Sequence, residues 1–297
     1  MMNPVERVNG THASAVEGKV KPDIQKSLWI TLMLIGSILA PFHFSWSAFG
    51  VFLVSSYFTL LLGHSVGMHR MMIHRSFNTS KPLERLFIFI GVLVGMGGPS
   101  NIIKIHDTRD WAQRLPKCHE FFSHKRSYIQ DIIWQLFCKF DFEKPPLLTI
   151  EDNLKNDPYI KFFDSSWWGI QLFVASALYI FGGLGWVLWG CCLRVFVSIA
   201  GHWSVTYFCH NPGPAKWYVK NAGVQASNLR FGGFITHGEC WHNNHHAFPE
   251  SAQIGLEPNQ TDPAWVVICV LERVGLVTNV GRPRKLSQQE DLKQLTS

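Results

Sequence analysis

Charged residues are distributed very unevenly along the chain. None occurs between Lys26 and Arg70, from Ser165 to Leu193, or from Val195 to Ala215. A helix crossing a bilayer needs about 20 mainly apolar residues. The first run is therefore long enough for two crossings, and the other two together for two more. Pro, Ser and Gly interrupt the apolar pattern at Pro41 to Ser47 and at Gly182 to Gly185, marking turns. The pattern predicts helices over 28–44 and 46–68 and over 167–180 and 186–208, paired as hairpins 27–68 and 165–208. A shorter apolar stretch, 83–98, ends in Gly97-Gly98-Pro99 and suits an interfacial helix better than a further span. Residues 69–164 and 209–280 read as a helical cap, in which residues from Pro263 to Val274 form a further helix. The reading is one domain over 27–280, with tails at 1–26 and 281–297.

Composition agrees with an all-α membrane protein. Hydrophobic residues make up 47% and charged residues only 16% of the chain, against about 25% charged in soluble domains. Lys19, Lys21 and Lys26 precede the first hairpin, Arg70, Arg75 and Lys81 follow it, and Lys216 and Lys220 follow the second. Basic residues favour the cytoplasmic side, so a multi-pass protein with both termini and the whole cap in the cytoplasm is expected. The net charge of +6 then reflects orientation and contact with anionic head groups. No basic stripe interleaved with aromatics points to nucleic acid. Trp167, Trp168, Trp186 and Trp189 fall near predicted helix ends, where indole rings prefer the head-group zone. Arg194 lies inside the last span, where facing lipid would cost about 2.5–3.5 kcal/mol, and is expected to face inward or reach the interface. The polar N-terminus shows no cleavable signal. Seven cysteines without a CxxC pair read as reduced.

The chemistry is concentrated in histidines. His242, His245 and His246 stand at i, i+3 and i+4, which on a helix share one face and would aim three imidazoles at one point. His69 and His74 follow one apolar run and His210 ends another. Imidazole ligates iron, zinc, copper and nickel, so spacing alone leaves the metal open. The stretch from Gly67-Met68-His69-Arg70 through His74-Arg75-Ser76-Phe77 resembles the first histidine box of membrane-bound fatty acyl desaturases of the acyl-CoA Δ9 group. Gly238-Glu239-Cys240-Trp241-His242-Asn243-Asn244-His245-His246-Ala247-Phe248-Pro249 resembles the last box. The segment from Leu193-Arg194 to Cys209-His210 is similar to the helix that delivers another ligand in that family.

The resemblance implies a four-span fold with a cytoplasmic cap. It also implies two irons held by His69, His74, His106, His210, His242, His245 and His246, and double-bond insertion into a long acyl chain with dioxygen. The substrate would be a fatty acyl thioester or acyl lipid in the bilayer. Trp241, Asn243 and Asn244 would support the ligands. Electrons would come from an external cytochrome b5 or ferredoxin-type donor, since the chain has no GxGxxG signature and no cysteine cluster.

Two positions depart from the family pattern. The middle box, HxxHH in the family, reads His106-Asp107-Thr108-Arg109-Asp110, and Thr206 stands where the family has Asn four residues before His210. Asp110 is a candidate oxygen ligand, whereas Arg109 is permanently charged and cannot ligate. His202 shares a helix face with Thr206 and His210, and His237 lies five residues before His242; both are candidate substitutes for a missing imidazole. His119 and His124 are assigned to head-group contact. Two rivals remain at this stage: a hydroxylase or related oxygenase on the same scaffold, and a metal-poor, non-catalytic lipid-binding homologue. A zinc hydrolase is disfavoured because HExxH is absent.

Overall fold

The computed structural model describes residues 5–295. Helices α1 (Ile24–Leu39) and α2 (Trp46–Phe58) start where the sequence supplies caps. The Asp23 carboxylate accepts from Lys26 N at 3.1 Å and the Ser45 hydroxyl from Ala48 N at 3.1 Å. They are followed by α3 (Lys81–Leu93), α4 (Pro99–Arg114), the single turn α5 (Glu120–Ser123), α6 (Tyr128–Phe137) and the turn α7 (Asp152–Lys155). The long α8 (Pro158–Val187) is capped by Asp157, whose carboxylate accepts from Tyr159 N at 2.8 Å. Then come α9 (Arg194–Cys209), the short α10 (His242–Ala247) and α11 (Pro263–Arg273).

Three helical stretches are long and apolar enough to cross a membrane: Ile24–His43, Trp46–Ile73 and Pro158–Cys209. The third is broken at Gly183, whose φ of +67° favours glycine. Leu178 packs against Gly190. In a straight helix twelve residues span about 18 Å, so the chain folds back between them. The apolar stretch 83–98 forms the helix α3 over Lys81–Leu93, and Gly97 and Gly98 lie between it and α4.

The second helix does more than extend past its apolar segment. From Thr59 to Ile73 it widens into a π-helix, closed at its end by His74 N donating to His69 O at 3.0 Å. An i→i+5 hydrogen bond brings residues five apart onto one side of the helix. His64, His69 and His74 therefore form a column, with ring centroids 6.4 Å and 4.8 Å apart. Gly63 permits the close approach of α3, because a Cβ there would meet the Ile90 carbonyl carbon at 2.5 Å. The main apolar core lies beside this segment, where Met68, Met72, Phe87, Ile103, Phe163 and Ile268 pack together.

Four antiparallel two-stranded ribbons join distant parts of the chain: β1 (Val8–Asn9) with β5 (Leu147–Leu148), β2 (Gly18–Pro22) with β4 (Cys138–Phe142), β3 (Asn78–Thr79) with β7 (Val277–Thr278), and β6 (Trp217–Val219) with β8 (Leu292–Gln294). Described residues of the expected tails 1–26 and 281–297 are thus paired in strands with the rest of the chain. Arg7 is buried, grips Glu151 at 2.7 and 2.8 Å and Asp107 at 2.9 Å, and donates to the Ile73 carbonyl at 2.9 Å. The short strands escape a hydropathy reading because their apolar residues are too few to show a period.

Candidate metal centre

The histidines form two adjoining clusters. His69, His74, His106 and His245 make one and His210, His242 and His246 the other, with the candidate ligand atoms of each within 4.8 Å of one another. In the first, His245 sits 4.6 Å from His69 and 4.5 Å from His74 between ring centroids. In the second, Nε2 of His242 and Nε2 of His246 are 3.1 Å apart. The expectation that the three imidazoles of α10 converge on one point is thereby corrected. His242 and His246, four apart, serve one cluster, and His245 turns to the other. One short helix bridges both, and the rings of His242 and His245 remain 5.5 Å apart.

Several ring nitrogens are poised as bare donors. His210 Nδ1 donates to the Thr206 carbonyl at 2.8 Å, leaving Nε2 buried without a hydrogen-bond partner. His106 Nδ1 lies 3.1 Å from Asp107 Oδ1, and its Nε2 is likewise unpartnered. His74 Nε2 and His245 Nδ1 are in the same state. Burial, with the neighbouring histidines adding to it, holds His74, His210, His242 and His245 well below the usual imidazole range, and burial lowers His246 to about 4. Neutral imidazoles with buried, unsatisfied lone pairs are what a transition metal requires. The four-histidine cluster offers such an ion four nitrogen donors within 4.8 Å of one another.

Charged residues brace the ligands. His69 Nδ1 lies 2.7 Å from Oε2 of Glu239, which also accepts from the Ser65 hydroxyl. Burial raises the Glu239 pKa, but His69 and Arg70 outweigh it and keep the carboxyl well below its usual range. The Arg70 guanidinium, fully enclosed, pairs with both oxygens of Asp262 at 2.9 and 3.2 Å and donates to the Ala252 and His237 carbonyls. Asp262 also accepts from the backbone N–H groups of Ile254, Gly255 and Trp265. The Asn243 side chain bonds the backbone of Lys216, Trp217 and Ala226 on one side of α10. Asn244 reaches Ile254 and Gln260 on the other, and Trp241 Nε1 donates to the Thr261 carbonyl.

Glu239 and Asp262 were not singled out from sequence. Glu239 is the only acidic residue between Asp164 and Glu250, and that isolation was the available signal. Asp262 gives none, since its role depends on long-range packing.

Other expected site residues lie outside the clusters. His202 packs its ring 4.8 Å from His64, and His237, at φ +57°, packs 4.7 Å from Tyr57. Asp110 Oδ2 is 3.8 Å from His106 Nδ1, behind that ligand. Burial raises the Asp110 pKa, but His106 and Arg109 hold it well below the usual carboxylate range. His119 caps α5 through Nδ1, and His124 is fully buried with Nδ1 3.0 Å from Asp131. The head-group role expected of His124 is therefore corrected by its burial; its ring stacks 5.3 Å from His210. Thr206 acts through its carbonyl, while its hydroxyl donates to His202 O at 3.0 Å. Arg194 does face inward, donating to the Gly190 and Leu93 carbonyls and to Gln171 Oε1. Arg109 is buried with its guanidinium carbon 5.8 Å from the Trp203 ring centre. Its charge acts on His210, His242 and His246.

The family model described as fatty acid desaturase matches residues 44–265. The chain is 32% identical over 265 residues to the sn-1 stearoyl-lipid 9-desaturase of Anabaena variabilis, covering 88% of this chain and 95% of that one. It is 32% identical over 269 residues to the Delta-9 acyl-lipid desaturase 1 of Arabidopsis thaliana, with 88% and 84% covered. With the icosanoyl-CoA 5-desaturase of Limnanthes douglasii it shares 29% over 278 residues, with 90% and 75% covered. With its histidine boxes brought together by the fold, the chain belongs to the fatty acid desaturase family and is an oxidoreductase of that family.

Proposed function

We propose that this protein is an oxygen-dependent fatty acyl desaturase that inserts a double bond into a long acyl chain held at the histidine clusters. The observation that carries the reading is the pair of adjoining histidine clusters bridged by α10. Iron, when bound there, supplies the dioxygen chemistry needed to remove hydrogen from an unactivated methylene, which no side chain supplies. The protein's own part is positional. Glu239 and Asp107 orient His69 and His106 through their Nδ1 atoms, and the Thr206 carbonyl does the same for His210. The surrounding apolar core excludes water and provides a surface along which an acyl chain is aligned.

In this reading the fold at Gly183 makes two crossings of Pro158–Cys209, giving four spans with both termini and every histidine box on the cytoplasmic side. The basic residues flanking the spans support that orientation and suit an acidic, separate electron donor. The relatives act on acyl-CoA or acyl-lipid substrates according to their names, and either carrier presents the same apolar chain. The test is lipid profiling of a host expressing the wild type beside His245→Ala. New monounsaturated acyl chains should appear only with the wild type. Hydroxylated products instead would refute desaturation, and termini on opposite sides in reporter fusions would refute the topology.

A further inference from the structure

The two clusters differ in donor number and in charge. The four-histidine cluster is backed by carboxylates: Glu239 at 2.7 Å from His69, Asp107 at 3.1 Å from His106, and Asp110 at 3.8 Å from the same ring. The three-histidine cluster has no carboxylate in contact with its ring nitrogens among the described residues. His210 leans on a neutral carbonyl, and the charge of Arg109 acts on all three rings, opposed at His246 by Asp110. Arg109 projects from α4 one helical turn after His106 and reaches Trp203 on α9, the helix that ends at His210. Its side chain is 6% exposed, and among the described residues its only ion-pair partner is Asp110 at 3.6 Å and its Nε has no hydrogen-bond partner. His124 does not add a fourth donor. Its ring nitrogens fall outside the group within 4.8 Å, and its Nδ1 is engaged by Asp131, which Arg126 also neutralises.

A guanidinium offers no lone pair and keeps its charge at any accessible pH. An incoming dication would meet three nitrogen donors against four in the other cluster, and the repulsion of a fixed positive charge, which is strongest in a low-dielectric pocket. We infer that this chain binds its metal in the His69/His74/His106/His245 cluster alone, and that Arg109 substitutes its own charge for a second ion beside His210, His242 and His246. The inference rests on the metal-centre reading above and replaces the two-iron expectation with one.

The test is metal counting on the full-length protein in lipid nanodiscs, loaded anaerobically with ferrous iron and measured by mass spectrometry. The wild type should hold one iron per chain. His74→Ala should lose it, His242→Ala should keep it, and Arg109→His should hold two. Arg109→Ala removes the charge without adding a donor, so its second cluster should bind cobalt(II), followed by absorption, at least about tenfold more tightly than in the wild type, in line with the sensitivity of metal sites to their surroundings. Arg109→Lys should stay at one. Two irons in the wild type, or loss of iron in His242→Ala, overturns the inference while leaving the metal-centre reading intact. No iron in any folded variant overturns both.

Discussion

Glu239 offers the most direct measure of how the protein prepares its ligands. Glu239→Gln keeps the shape and removes the charge. The carboxylate has His69 Nδ1 at 2.7 Å on one oxygen, and the Ser65 hydroxyl and Arg70 Nη2, the latter at 3.4 Å, on the other. If the glutamine carbonyl stays with His69, its amide must face the Arg70 guanidinium, placing donor against donor. If it flips, His69 loses its acceptor and the freedom to present Nε2 to a metal. Either arrangement weakens the orienting contact, and such contacts are worth about 10–100-fold in metal affinity, or about 1.4–2.7 kcal/mol. Chelator competition on cobalt(II)-loaded protein would read this directly, with melting of the metal-free protein as a control for folding. A metal affinity within twofold of wild type in a folded Glu239→Gln protein would refute the role given to this carboxylate.

Removing Asp262 strikes the same network from its other side. Asp262→Ala leaves a buried guanidinium with the longer 3.4 Å contact to Glu239 in place of its paired carboxylate and uncaps α11, so a loss of about 3–5 kcal/mol is expected in thermal or denaturant unfolding; an unchanged melting point would show that the pair adds nothing. Asp110→Ala should weaken metal binding while the protein stays folded, and Asp110→His should retain it. Full metal content with wild-type product in Asp110→Ala would make the carboxylate a bystander. The metal-free protein should lose stability in mild acid. His74, His210, His242, His245 and His246 all have folded-state pKa values below the ordinary 6.5. The unfolded chain therefore takes up protons first, and stability is full above about pH 6.5 and declines as pH falls. With its value at about 4, His246 alone accounts for about 3 kcal/mol between those pH values. Melting temperatures of the metal-free protein that do not fall between pH 7.5 and 5 would contradict this.

The apolar runs revealed the long helices because a span is an extended, local signal, and the turn at Gly182 to Gly185 was legible from composition. The π winding of Thr59–Ile73 was not. It arises where Gly63 meets the Ile90–Gly91 backbone, a contact between residues far apart in sequence. The HxxxxH spacing carried a trace of it, since five residues match a π turn better than an α turn. The ligand histidines were readable from their boxes, but their division between two clusters depends on the direction each ring takes from a six-residue helix. The same limit hid Asp262 and the burial of His124, whose partners Asp131 and His210 come from α6 and the end of α9.

The ribbons formed by the N-terminal segment also set an order of assembly. Gly18 pairs with Phe142 and Val8 with Leu148. Synthesis at about 5–20 residues per second therefore leaves β2 waiting roughly 6–25 seconds for its partner strand to emerge. Arg7 is made 100 residues before Asp107 and 144 before Glu151, so for most of that interval it lacks both carboxylates that later hold it against the Met72 and Ile73 carbonyls at the end of the π-helix. The strands β1 and β2 thus dock only after the helices that separate them in sequence from β4 and β5 have been made, so extra bulk placed beside them would burden the closing step of folding rather than its start.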